Sequence, residues 1–202
     1  MKAEDTHNPI PDQNVGSQID AVAHHTLKTN DEAEAFFKLA CKRLLNVNAW
    51  GEISGMSDFQ LHDQNGIEVN REAQEGDYIQ INIPGPGTQS GDGFDWVRIE
   101  DISQSEGETE ELLSIRVRPS AKPDNDQTSP AHFLKETATS TFIVRKNALD
   151  VTAEEHGRNE VANTDTESII DNGRNLLVGG AAKLGLSYPQ WKLLVQGIVA
   201  AG

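Results

Sequence analysis

Two periods of hydrophobicity alternate along the chain and mark out its elements. Ile19, Ala21, Ala23, His25 and Leu27 alternate with mostly polar neighbours, a two-residue period that predicts a strand with one largely apolar face. Asn30 then offers a helix N-cap, and Asp31 and Glu32 place negative charge at the positive helix end. Ala33, Phe36, Phe37, Ala40, Cys41, Leu44 and Leu45 recur at helical spacing, so an amphipathic helix is expected over 31–45. Short alternating runs follow over 53–62, 77–84, 94–103, 112–118, 139–146 and 149–157. Turn chemistry such as Asp63-Gln64-Asn65-Gly66 separates them, the mark of antiparallel sheet. Ile79, Ile81 and Ile83 share one face of the second run; Leu113, Ile115 and Val117 share one face of the fourth. The last two runs read as a hairpin turning at 146–148. Helical signals then return. Thr164-Asp165-Thr166-Glu167 matches a capping box. The helix it opens uses Ile169, Ile170, Leu176 and Leu177, and Gly179-Gly180 weakens or breaks it. After Pro189, which a first helical turn tolerates, Trp191, Leu194, Val195, Ile198 and Val199 repeat with helical period.

The order is strand, helix, a set of antiparallel strands and a C-terminal helix, an α+β chain. Residues 1–16 are polar, carry two prolines and show no period, so they read as a flexible arm. Residues 17–202 read as one domain. The strand from Ile19 runs into Asp31-Glu32-Ala33-Glu34-Ala35-Phe36-Phe37, and Trp50 comes soon after that helix. On those residues the order resembles the START-like superfamily, also called the SRPBCC or helix-grip fold, which includes polyketide cyclases and plant pathogenesis-related proteins. The resemblance spans residues 18–200 and is one of element order and periodicity. It implies a curved antiparallel sheet of about seven strands gripping the C-terminal helix. It further implies an apolar cavity between them for a lipid-like or hydrophobic molecule. The Gly179-Gly180 pair and the irregular stretch 119–136 depart from the pattern.

Charge narrows the partners. The chain has 202 residues with 17 Lys+Arg against 32 Asp+Glu, a net charge of −15. Such a chain is repelled by phosphates, so nucleic acid is not an expected partner. No apolar run approaches the roughly 20 residues that span a bilayer, so membrane insertion is not expected either. A lone cysteine, Cys41, and an N-terminus without a basic-then-apolar leader point to a reducing, cytoplasmic location. Hydrophobic residues make up 36 % of the chain, enough for one sizeable core.

The motifs argue mostly against chemistry. The glycine-rich stretch 85–93 lacks the lysine and following helix of a phosphate-binding loop and reads as a strand connection, or as a lid over a cavity. Cys41 lies on the apolar helix stripe, where a thiol is inert. The histidines and cysteine lack metal-ligand spacing, and no Gly-x-Ser-x-Gly elbow presents a serine, so neither a metal nor a cofactor is expected. The acidic run 100–111 reads as a solvated loop. Period two places His156, Arg158 and Glu160 on one side of the last strand, as a base beside a charge partner or, more plainly, as a solvated Arg–Glu pair. Arg98, Arg116, Arg118 and Arg145 oppose apolar neighbours and are expected on the outer sheet face with Trp96, an arginine lying over its indole.

A cavity between sheet and last helix would be lined by His25, Trp50, Ile81, Ile115, Phe142 and Trp191. His25 is the one ionisable side chain in the inward row of the first strand. The expected function is binding of a small hydrophobic molecule without turnover. The alternatives are a cyclase- or hydrolase-like enzyme in the same cavity, and an interaction domain whose core is filled by its own side chains. Ligand identity and oligomeric state are not written in any motif.

Overall fold

A computed structural model describes residues 8–83, 91–107, 109–123, 129–163 and 188–201. Strand β1 (Ser17–Thr26) leads into helix α1 (Asn30–Leu45), a 3-10 turn (Val47–Ala49) and the short helix α2 (Trp50–Ser54). Six strands follow: β2 (Asp58–His62), β3 (Tyr78–Asn82), β4 (Asp95–Glu106), β5 (Glu110–Pro119), β6 (Thr139–Asn147) and β7 (Asp150–Glu160). The chain ends in a helix over 188–198, here α3. All seven strands form one antiparallel sheet in the order β1-β7-β6-β5-β4-β3-β2, so α1 and α2 carry the chain from one sheet edge to the other.

α1 forms where its spacing predicts, but its cap is Thr29 rather than Asn30. Thr29 is extended (φ −137°, ψ 158°), so its hydroxyl can accept the Glu32 N–H at 3.2 Å, whereas Asn30 is already helical. The run expected as a strand over 53–62 divides. Trp50 is buried and its indole N–H donates to Leu44 O, while Gly55 adopts a left-handed φ of 67°. A helical turn therefore occupies 50–54, and strand pairing starts only at Asp58.

The core lies on the sheet face that the helices cover. Ala21, Phe37, Leu44, Trp50, Ile79, Ile81, Ile99, Ile115, Phe142 and Val144 are buried there together with Leu194, Val195 and Ile198 of α3. The terminal stripe thus packs where the sequence pattern places it. The Arg43 guanidinium of α1 donates to Ile198 O and Ala200 O, both at 2.8 Å, and satisfies carbonyls left open at the end of α3.

The outer face is an ion-pair ladder, and two expectations are corrected there. The acidic run 100–111 is no loop: β4 and β5 extend to Glu106 and Glu110 around a tight turn at Gly107. Glu100 sits at a bulge in β4 and pairs with both Arg116 and Arg118, and Glu110 pairs with Arg145; Glu111 and Lys146 pair on the inner face, where Lys146 also meets Glu34 of α1. Trp96 is buried, tilted against His62 at 4.9 Å, instead of lying under an arginine. On this face Arg98 lies 5.9 Å from the centre of the Tyr78 ring. Residues 8–16 of the expected arm run against β7. The Asn14 and Val15 N–H groups donate to Asn159 Oδ1, the Asn159 N–H donates to Gln13 Oε1, and Pro9 is buried beside Arg116. The capping box at 164–167, the Gly179-Gly180 pair, residues 84–90 of the glycine-rich stretch and residues 124–128 of the irregular stretch lie outside the described residues.

Candidate functional site

Between the sheet and α3 lies a cavity whose walls come from nearly every element. Four aromatic rings form its apolar end. Trp50 of α2 meets Phe59 of β2 edge-on at 5.5 Å and Phe142 of β6 at 4.9 Å. Trp191 of α3 meets Phe142 at 5.2 Å and Phe59 at 6.2 Å, which closes the ring of contacts. Ile79, Ile81, Val97 and Val117 supply the floor. The lining encloses about 650 Å³ not filled by atoms, open solvent at the mouth included, of which about 40 Å³ can hold the centre of a water-sized sphere. On that scale roughly 10–15 Å³ admits one water, so the enclosed room suits a few waters or a short aliphatic group.

The other end is polar and acidic. Thr139, Ser140, Glu160, His132 and Gln190 reach the cavity wall. Gln190 Oε1 accepts from the buried Ser57 hydroxyl at 2.6 Å, which ties α3 to the start of β2. His132 Nδ1 accepts the Leu134 N–H at 2.9 Å, so the ring is a neutral imidazole in this geometry. Simple alternation would put Glu160 on the outer face beside His156 and Arg158. Asn159 intervenes with a left-handed φ of 56°, the β1–β7 register slips between Ser17 and Ile19, and Glu160 turns inward. The expectation of one row of three is thereby corrected. Arg158 pairs with Asp20 at 2.7 Å, and His156 lies between Asp20 (2.6 Å) and Glu154 (2.9 Å), all on the outer face.

The N-terminal segment fixes this kink. The Asn159 side chain donates to Asp12 O at 3.0 Å, and the Ser17 hydroxyl lies 3.3 Å from Glu160 Oε2. Gly16, at φ 68°, passes so close that a Cβ there would stand 2.2 Å from Glu160 O. Only glycine allows that approach.

Behind Glu160 sits Glu155, fully buried on the inward row Val151, Ala153, Glu155, opposite Ala21 and Phe142. Neither carboxyl oxygen makes a hydrogen bond of normal geometry. Burial, reinforced by the Glu160 charge, pushes its pKa well above the usual carboxylate range; the nearby Ser140 hydroxyl pulls only weakly the other way. Burial also raises Glu160, against the Ser17 hydroxyl and the Arg158 charge.

Four of the six sequence-derived candidates, Trp50, Ile81, Phe142 and Trp191, line this cavity. Ile115 is fully buried in the core but outside the lining. His25 faces inward yet lies away from the cavity, half-buried against Phe36 of α1 with ring centres 4.9 Å apart. Cys41 is half-buried, and burial with the Glu111 and Glu34 charges pushes its thiol up to about 12, a poor nucleophile. Glu155 and the inward turn of Glu160 were missed. The parity of Val151 and Ala153 points to Glu155, whereas nothing in the sequence marks the kink at Asn159.

Seven antiparallel strands, a helix after the first and a terminal helix packed on the sheet make the START-like, helix-grip order that the sequence resembles. Solved structures similar to the chain include a hypothetical protein from Helicobacter pylori, 11 % identical, covering 90 % of this chain and 87 % of that one at a TM-score of 0.48. A START superfamily protein from Mycobacterium smegmatis is 8 % identical over 90 % and 98 % of the two chains, TM-score 0.37. Truncated norcoclaurine synthase from Thalictrum flavum is 10 % identical over 94 % and 99 %, TM-score 0.37. No protein-family model and no curated protein matches the sequence.

Proposed function

We propose that the cavity between the sheet and α3 binds a small, largely apolar molecule and leaves it unchanged. The observation that carries this reading is an aromatic-walled cavity with one acidic end, the usual build of a small-molecule site. The described residues supply little for turnover. No three His, Cys, Asp or Glu among them are placed to hold a metal ion, and the Cys41 thiol is not in the lining. A filled-core interaction domain is the second reading, favoured by the small enclosed volume. Cyclase- or hydrolase-like chemistry, the third, would rest on Glu160 as its acid or base.

Native mass spectrometry of freshly purified protein, together with titration by an apolar dye, separates these readings. Binding predicts a co-purifying mass or a saturable change in tryptophan emission, most of it lost in Trp191→Phe. Neither signal in a folded protein would leave the filled core. Chemical conversion of the bound molecule would make the protein an enzyme.

A further inference from the structure

The fold treats the two edges of its sheet differently. β2 is short, five residues, and carries cover: the Val69 N–H donates to Leu61 O at 3.0 Å, and His62 bridges to Glu68. β1, at the other edge, is ten residues long, and among the described residues it pairs only with β7. Edge strands are ordinarily blunted by a lysine, a proline or a bulge, because their free N–H and C=O groups recruit another strand. From Ile19 to Thr26 β1 has neither lysine nor proline, and its register with β7 is regular.

Hydrogen-bond parity identifies the free groups. The Leu27 N–H donates to Leu149 O, and the same register runs through Ile19↔Gly157, Ala21↔Glu155, Ala23↔Ala153 and His25↔Val151. In an antiparallel pair alternate residues turn their backbone polar groups to the partner strand. These five therefore serve β7, while Asp20, Val22, His24 and Thr26 turn theirs to the open edge. Their side chains are exposed on the outer face, and Val22 is 57 % exposed. A second β1 laid antiparallel about Val22 sets Val22 on Val22 and Asp20 opposite His24, twice. Centring the pair on Asp20 or on His24 would instead oppose two like residues. On the inner side Phe36 of α1 meets His25 at 4.9 Å, and the exposed Leu39 follows one turn later on that flank.

From this self-complementary edge we infer that β1 is the interface between two copies of this chain, joined about a two-fold axis at Val22 into one continuous sheet. Each Asp20, held in its own chain by Arg158 and His156, gains the partner's His24. One strand pair is a small interface, so a dimer of micromolar strength is expected.

Sedimentation of the full chain from low to high micromolar concentration tests this. The unaltered chain is expected to reach twice its monomer mass. Val22→Pro removes an N–H that β7 does not use, and Val22→Lys puts a charge at the axis; both are expected to stay monomeric and keep the cooperative melt. Oxidation is expected to cross-link Val22→Cys into a covalent dimer and to leave His24→Cys and the unaltered chain uncross-linked. A chain that stays monomeric at every concentration would overturn the interface, as would a dimer that survives Val22→Lys. Cross-linking of His24→Cys in place of Val22→Cys would overturn the register. If Val22→Pro does not fold, Val22→Lys decides, because its side chain points into solvent.

Discussion

His156 shows how a single side chain here senses pH through its partners. Burial favours the neutral ring, but hydrogen bonds to Glu154 and Asp20 outweigh it and raise the pKa above 6.5. Burial likewise opposes ionisation of Glu154, yet His156 and Arg145 hold it at about 2, below its ordinary 4.5. The signs differ. A raised histidine stabilises fully below its unfolded value of 6.5 and loses that contribution as pH rises through the folded value. A lowered carboxylate stabilises above 4.5 and loses its contribution as pH falls towards 2. The pair therefore contributes most between pH 4.5 and 6.5. Urea unfolding across pH is expected to show His156→Gln most destabilising below pH 6.5 and converging on the unaltered protein in alkali. Glu154→Gln is expected to converge in acid, with a maximal cost of roughly 3 kcal/mol. Parallel, pH-independent losses in both variants would mean that packing, not charge, holds these residues. At this scale strand parity carried the sequence reading: Arg116, Arg118 and Arg145 do face outward. It failed at Glu160, because one left-handed residue reverses every side after it.

Elements were legible where a period ran long enough to outvote local accidents. α1, β3, β5 and the β6–β7 hairpin follow their apolar spacing, although the hairpin turns at Ala148 and Leu149 instead of 146–148. α2 was not legible. Five residues are too few to display a helical period, and Gly55 ends them in a conformation that alternation does not reveal. Yet α2 holds α3 in place. A Cβ on Gly197 would stand 2.3 Å from Ile53 Cγ2 and 3.0 Å from Ile53 O, so α3 seats against α2 through a side chain that is absent. Gly197→Ala improves intrinsic helix propensity by about 1 kcal/mol, but overpacking against backbone costs roughly 1–3 kcal/mol. The clash is with a carbonyl as well as a methyl group, so the cost is expected to win. The denaturation midpoint of Gly197→Ala should fall with an unchanged slope. A midpoint raised by the substitution would show that the two helices stand further apart.

At the scale of the whole molecule, one apolar sheet face must be covered, and among the described residues two separate parts of the chain cover it. α1 lies over β6 and β7. The aromatic cluster of Trp50, Phe59 and Phe142 depends on α3, which brings Trp191 against two of those rings and buries Leu194, Val195, Ile198 and Val199. On the outer face Arg116, Arg118, Arg145 and Arg158 are each matched to a carboxylate. Removing residues 188–202 would therefore uncover the inner face alone. Each large apolar side chain fully buried is worth about 1.5–3 kcal/mol, and four of them rival the roughly 5–15 kcal/mol by which a domain is stable. Ordering the segment takes back part of that gain, but the deletion also frees the Arg43 guanidinium and the buried Ser57 hydroxyl from their partners. The truncated chain is expected to lose its cooperative thermal transition and to bind apolar dye without saturation. A truncated chain that melts as sharply as the full one would make α3 an appendage.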